Sequence, residues 1–222
     1  MVFSISFSSL KAAITTATSG HSTSLFFTTV LLLRPNSCTT KNKIKWDKKY
    51  QENPELLQDR DVSKKLKYIV NDIQGKSALD IACGSGRNSI YLANFGFEVD
   101  ALDISIVALD NINAKNIENI TSKLVDLEEF IPKKNSYDLI IKTNYLDRDI
   151  IPHLKAALKQ GGILFIETYM NHEENQKTNS NPDFLLQKDE LKTFFGEGFE
   201  ILDYDEFDNE KYELYRMKKQ AI

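Results

Sequence analysis

The sequence predicts a doubly wound α/β domain: an open, mostly parallel sheet with helices on both faces and a closing antiparallel hairpin. Three observations predict it. From residue 47 onward, strand-length apolar runs alternate with stretches of helical apolar period. The run YDLIIKT (137–143) is apolar nearly throughout, as a central parallel strand covered on both faces requires. The stretch ALDIACGSGRN (78–88) breaks from an apolar run directly into Gly-Ser-Gly. A tight turn at a strand's carboxyl end is where such sheets bind ligands.

The elements follow in chain order. VSKKLKYIVNDI (62–73) sets Val62, Leu66, Ile69, Val70 and Ile73 on one helical face, with Gly75 as a stop signal. SALDIAC (77–83) reads as a short buried strand, and RNSIYLANF (87–95) as a helix ending at Gly96. FEVDALDI (97–104) alternates as a strand, IVALDNINAKNI (106–117) is helical in pattern, and SKLVDL (122–127) is a short strand. After the 137–143 strand come a helix over 149–158, a break at Lys159–Gly162 and a strand over 162–170. A helix over 186–195 precedes two strands, 199–207 and 211–219, separated by Asp208-Asn209-Glu210 and spaced to pair as a hairpin.

The first 46 residues differ from this body. Residues 1–40 hold 16 Ser or Thr and no acid. Lys11, Arg34, Lys41, Lys43 and Lys45 give residues 1–46 a formal +5, which leaves −9 for residues 47–222 of a chain whose net charge is −4. The apolar run LFFTTVLLL (25–33) is too short for a bilayer span, which needs about 20 residues. Two readings stand: a disordered extension, or a transit peptide that would send a protein otherwise expected in the cytoplasm to an organelle. The expected division is an extension over 1–46 and one folded domain over 47–222. An acidic body repels phosphate backbones, so neither a nucleic-acid nor a membrane partner is expected. Cys38 and Cys83 form no metal-ligand or disulfide pattern.

Gly84 and Gly86 let backbone N–H groups approach a ligand, and Asp103 follows Gly84 by 19 residues at the end of the next strand. A carboxylate so spaced can take ribose hydroxyls. The bland alternative is a plain tight turn, with Asp103 or Ser105 capping the next helix. A nicotinamide fingerprint lacks its third glycine, and a phosphate loop lacks its Gly-Lys-Ser/Thr.

These residues are recognisable. LDIACGSGRNSIYLA resembles the first motif of the class I S-adenosylmethionine-dependent methyltransferases, VDALDIS the second and KLVDLEEF the third. YDLIIKTNYL and LKQGGILFIET resemble the fourth motif and the Gly-Gly turn before the fifth strand. Within that superfamily, RNSIYLA, YLDRDIIPHLKAALKQGG and NPDFLLQKDEL are most similar to small bacterial tellurite-resistance-type methyltransferases. The resemblance implies a seven-stranded Rossmann-like methyltransferase fold and S-adenosyl-L-methionine as cofactor. It implies that Asp80, Ala82, Gly84 and Gly86 form the methionine-side loop, that Asp103 holds the ribose and that Asp126 holds the adenine amino group. Asn144 and Tyr145 are expected beside the transferred methyl group. The Asn-Pro-Pro-Tyr motif of amino-group methyltransferases is replaced by Thr143-Asn144-Tyr145-Leu146, which weighs against adenine, cytosine or glutamine-amide acceptors.

The expected function is in-line methyl transfer to a small molecule. The alternatives are a protein or RNA methyltransferase, and a cofactor-binding regulator without catalysis. Arg148 is a candidate anion contact, Tyr169 and the polar segment 171–181 a candidate lid, His153 a helix residue, and His172-Glu173-Glu174 a polar loop rather than a metal site. Cys83 reads as a small packed residue rather than a reactive thiol. No metal is expected.

Overall fold

A computed structural model describes residues 41–171, 181–196, 198–207 and 212–219. These lie in one compact unit, Asn36–Ile222. Helix α1 (Lys41–Glu52) begins six residues ahead of position 47, where the sequence reading starts the domain. The face predicted over 62–73 is buried at Val62, Leu66, Ile69, Val70 and Ile73. Its helix α2 is shorter, Lys64–Ile69, capped by the Ser63 hydroxyl, and tightens into a 3-10 turn over Val70–Asp72.

The remaining elements are β1 (Ser77–Ile81), α3 (Arg87–Asn94), β2 (Glu98–Asp103), α4 (Ile106–Asn113), β3 (Ile120–Leu124), β4 (Tyr137–Thr143), α5 (Ile151–Ala157), β5 (Leu158–Tyr169), α6 (Glu190–Thr193), β6 (Phe199–Phe207) and β7 (Tyr212–Lys219). The strands lie in the order β3-β2-β1-β4-β5-β7-β6. From β3 to β5 all neighbours are parallel, and β7 runs antiparallel to both β5 and β6.

Period-two side chains cover both faces of the sheet. Leu79, Ile81, Leu102, Ile140, Leu164 and Ile166 pack with Ile151 and Leu154 of α5. Ala78, Val99, Leu139, Ile141, Ile163 and Phe165 pack with Leu66 and Ile69 of α2 and Leu92 of α3. Each fully buried aliphatic or aromatic side chain stabilises the fold by about 1.5–3 kcal/mol before cavity effects.

Several boundaries differ from the sequence reading, each for a local reason. Helix α4 stops at Asn113, and Asn116 takes a left-handed φ of 49°, so the pattern read to 117 does not continue as helix. Strand β3 occupies 120–124 rather than 122–127. Strand β5 starts at Leu158, ahead of the expected break, because the chain carries Lys159–Gly162 as an irregularity: Tyr137 faces Leu158, but Leu139 faces Ile163. The helix expected over 186–195 is one turn, because Leu186 bridges to Met170 and Asp189 is left-handed at φ 59°. The extension through residue 40, with Cys38, and residues 172–180, with His172–Glu174, lie outside the described residues. Among those described, no helix is long and apolar enough to cross a membrane, and no cluster of three or more ligating side chains could hold a metal ion.

The connections after β1 and β4 leave in opposite directions along the sheet. In such sheets ligands bind at that switch point, outside the strands' carboxyl ends, and the glycine turn lies there.

Candidate functional site

The chain leaves β1 through three left-handed residues in five: Ala82 at φ 54°, Gly84 at 54° and Gly86 at 75°. For alanine this conformation costs about 1–2 kcal/mol. Two backbone bonds fasten the turn, Cys83 N–H to Leu102 O and Gly86 N–H to Cys83 O, both 2.9 Å. The two glycines serve different contacts. A Cβ at Gly86 would lie 2.5 Å from Ile112 Cγ1, so that glycine admits helix α4. A Cβ at Gly84 would lie 3.1 Å from the Tyr50 hydroxyl, so that glycine admits a side chain of α1. Burial and the neighbouring acids raise the Cys83 thiol well above its ordinary pKa, which keeps it protonated and unreactive.

Asp103 closes the turn from β2. Its Oδ2 accepts from Gly84 N–H and its Oδ1 from Ser105 N–H, both at 2.8 Å. Burial pushes this carboxyl above its usual range, against the pull of those N–H groups. The cap of α4 is the Ser105 hydroxyl, which accepts from Ala108 N–H. Asp126 is half-buried two residues past β3, and its Oδ1 accepts from Glu128 N–H at 3.2 Å.

Beneath the turn lies a polar row, buried at Asp80 and Thr143 and half-buried at Glu167. Asp80, Thr143 and Glu167 extend the α2/α3 face past its aliphatic residues, at the ends of three adjacent strands. Ser89 Oγ donates to Asp80 Oδ2 at 2.6 Å, Asn88 Nδ2 to Thr143 Oγ1 at 3.1 Å, and Ser63 Oγ to Glu167 Oε2 at 2.7 Å. Asp80 is 1 % exposed and Asn88 3 %, and the Oδ1 atom of each has no hydrogen-bond partner among the described residues. Burial raises the Asp80 carboxyl to about 7, with Ser89 opposing and Asp103 adding to the shift.

On the opposite face, the chain leaves β4 through exposed, left-handed Asn144 (φ 55°), whose N–H bonds Glu167 O at 2.8 Å. Tyr145 is half-buried, with its hydroxyl 3.3 Å from Asp147 Oδ2. Burial first, then Asp147, Glu128 and Asp126, hold this phenol protonated far above its normal range. Lys142 is completely buried; its Nζ donates to Tyr145 O at 2.7 Å, and burial pushes the amine down to about 7.

Arg148 is partly exposed, but protein acceptors rather than an anion engage its guanidinium. Its guanidinium donates to both Glu190 carboxylate oxygens (2.5 and 3.1 Å) and to the carbonyls of Asp183 (2.6 Å) and Leu185 (3.1 Å), tying the β4 loop to α6. His153 is exposed on α5, and Tyr169 is 36 % exposed at the end of β5.

Helix α1 lies against the glycine turn and the start of α4. Asp47 Oδ1 accepts from Ser105 Oγ at 2.7 Å and from Val107 N–H at 3.5 Å, Asn42 Nδ2 donates to Glu128 Oε1 at 3.0 Å, and Tyr50 lies against Gly84. The sequence reading missed Asp47, Tyr50, Asn88, Lys142 and Glu167. Asn88 and Lys142 carried a legible signal: one stands in the first helical turn after the glycines, the other interrupts an otherwise apolar strand.

A cleft of about 460 Å³ opens at the sheet's other end, lined in part by Ser77, Asp100, Lys133 and Tyr137. Two of its polar groups are bound internally, Tyr137 to Asp100 and Ser77 to Asp138, and no glycine lines it.

Comparisons with known proteins give the family and the fold. The model of the family "Tellurite resistance protein TehB" matches residues 39–220. The probable S-adenosyl-L-methionine-dependent methyltransferase TehB of Haemophilus influenzae is 31% identical over 143 residues, 58% of this chain and 47% of that protein. Ribosomal protein L11 methyltransferase of Campylobacter concisus is 31% identical over 121 residues, 50% of this chain and 42% of that protein. The chain thus spans about half the length of the curated relatives it matches. The crystal structure of H. influenzae TehB superposes with a TM-score of 0.60 at 21% identity, over 79% of this chain and 67% of that one. Magnesium protoporphyrin IX methyltransferase (ChlM) from Synechocystis, solved with bound SAH, gives 0.62 at 16% identity, over 81% and 98%. Both structures share the fold.

Proposed function

Because the chain belongs to the family of the tellurite resistance protein TehB, we propose that it is an S-adenosylmethionine-dependent methyltransferase acting on a small molecule. The observation that carries this reading is the unpartnered Asp80 Oδ1, buried beneath a left-handed glycine turn that a second carboxylate, Asp103, clamps. A buried acceptor costs about 1–3 kcal/mol when unsatisfied, so the site suits a ligand bearing a donor or a cation. S-adenosylmethionine fits: an ammonium for Asp80, ribose hydroxyls for the remaining lone pairs of Asp103, and an adenine amino group for Asp126.

Bound there, the cofactor supplies an electrophilic methyl group on sulfur for in-line displacement. The chain's own contribution is positioning and exclusion of water. Ala82, Gly84 and Gly86 shape the methionine-side loop. Helix α1, pinned by Asp47, covers it. Asn144 and Tyr145 border the acceptor, and the raised phenol of Tyr145 acts as a hydrogen-bond donor rather than a base. The support for a small acceptor is electrostatic: Asp126, Glu128 and Asp147 surround Tyr145, a poor setting for a polyanion.

The test is methyl transfer from radiolabelled S-adenosylmethionine to pooled small molecules, to RNA and to protein extract. Label in the small-molecule pool is expected; label confined to RNA or protein overturns the acceptor class.

A further inference from the structure

Consecutive residues of α3's first turn each grip the end of a different strand. Ser89 donates to Asp80 of β1, and Asn88 donates to Thr143 of β4. Each contact fixes one side chain and leaves one oxygen over, Oδ1 of Asp80 and Oδ1 of Asn88, both buried without a partner. The Asn88–Thr143 bond directs the amide nitrogen to β4, which leaves the amide oxygen as the free acceptor. Two buried acceptors left over by consecutive residues of one helical turn, one of them a carboxylate, are costly unless a donor satisfies them. A primary ammonium, with three N–H groups and a positive charge, matches that pair; a hydroxyl or amide ligand cannot offset the charge.

We propose that the Asn88 amide oxygen is a binding residue for the cofactor's methionine ammonium, shared with Asp80 and held in orientation by Thr143. The proposal rests on the methyltransferase reading above. It assigns specificity to the position: Asn88 reads the amino-acid arm, not the nucleoside.

The experiment is calorimetric titration of the full chain with two probes. S-adenosylhomocysteine carries the ammonium, and 5′-methylthioadenosine lacks the amino-acid arm. Asn88→Ala is expected to weaken S-adenosylhomocysteine by about tenfold or more, the scale of a charge-assisted hydrogen bond, and to leave 5′-methylthioadenosine within twofold. Thr143→Val, which removes only the tether, is expected to act in the same direction more weakly, and it carries the test if Asn88→Ala does not fold. Equal weakening of both probes by these variants, or no change in S-adenosylhomocysteine binding, overturns the assignment and leaves the oxygen to a structural water. A folded native chain that binds neither probe overturns the cofactor reading itself, an outcome distinct from the first.

Discussion

Asp80 and Lys142 hold opposite potential charges on opposite faces of adjacent strands, and burial moves both toward neutrality at about pH 7. Their pH signatures differ. Between the ordinary carboxyl value of 3.8 and about 7, the folded state holds a proton on Asp80 that the unfolded chain has lost, so this group's contribution to stability falls as pH rises through that window. A cationic ligand pulls the carboxyl back down, so S-adenosylhomocysteine affinity should rise with pH through about 7 and flatten in Asp80→Asn; calorimetry at pH 6 and 8 reads this. For Lys142 the unfolded chain holds the proton between about 7 and 10.5, so stability rises with pH across that window. Lys142→Met should therefore stabilise the fold most below pH 7, by about 1–4 kcal/mol if the buried charge is replaced cleanly, with the gain shrinking toward pH 10. Denaturant midpoints at pH 6 and 9.5 check the trend; an equal shift at both contradicts it. The glycine turn and both strand-end acids were legible at this scale, because conformational need and spacing leave a mark in sequence. Lys142 was not read as buried, because composition treats a lysine as solvent-facing, and only its place in an apolar strand says otherwise.

Helices α1 and α6 are each tied by side-chain hydrogen bonds to the loops at the strands' carboxyl ends. Asp47 fastens α1 to the start of α4 through Ser105 and Val107. Asp47→Ala should loosen α1 and weaken S-adenosylhomocysteine binding several-fold, while the unfolding midpoint barely moves, since α1 contributes no buried residue. A large stability loss with unchanged affinity would make α1 a structural prop instead. Arg148 fastens α6 and the preceding turn through four hydrogen bonds. Arg148→Ala should speed amide exchange over residues 183–192 by more than tenfold and leave β1–β4 unaffected; uniform exchange would show that the latch is redundant. The sequence hid both helices for one reason. KNKIKWDKKYQE (41–52) is charged on every turn and fully buries no residue, and its half-buried face mixes Lys43 and Asp47 with Trp46 and Tyr50, so it shows no clear apolar stripe. Helix α6 is too short to show a period, and Asp189 interrupts the longer pattern that was read there.

At the scale of the molecule, strand order does the positioning. Placing β1 between β2 and β4 brings Asp80, Asp103, Thr143 and, one strand further, Glu167 to the same edge, although 87 residues separate the first from the last. The alternation of elements and the continuous apolar run at 137–143 made this architecture legible, since parallel strands covered on both faces carry that pattern. The starts of β3 and β5 were less legible, because pairing with a neighbour, not local composition, sets where a strand begins. The central claim is that the glycine turn and Asp103 hold a nucleoside cofactor at this edge. Its most direct test is calorimetric titration of the full chain with S-adenosylmethionine, alongside Asp103→Ala and Asp103→Asn. The account predicts saturable binding to the native chain and a loss of about tenfold or more in both variants, with cooperative unfolding retained. A folded native chain that does not bind, or variants that bind as the native chain does, would contradict it.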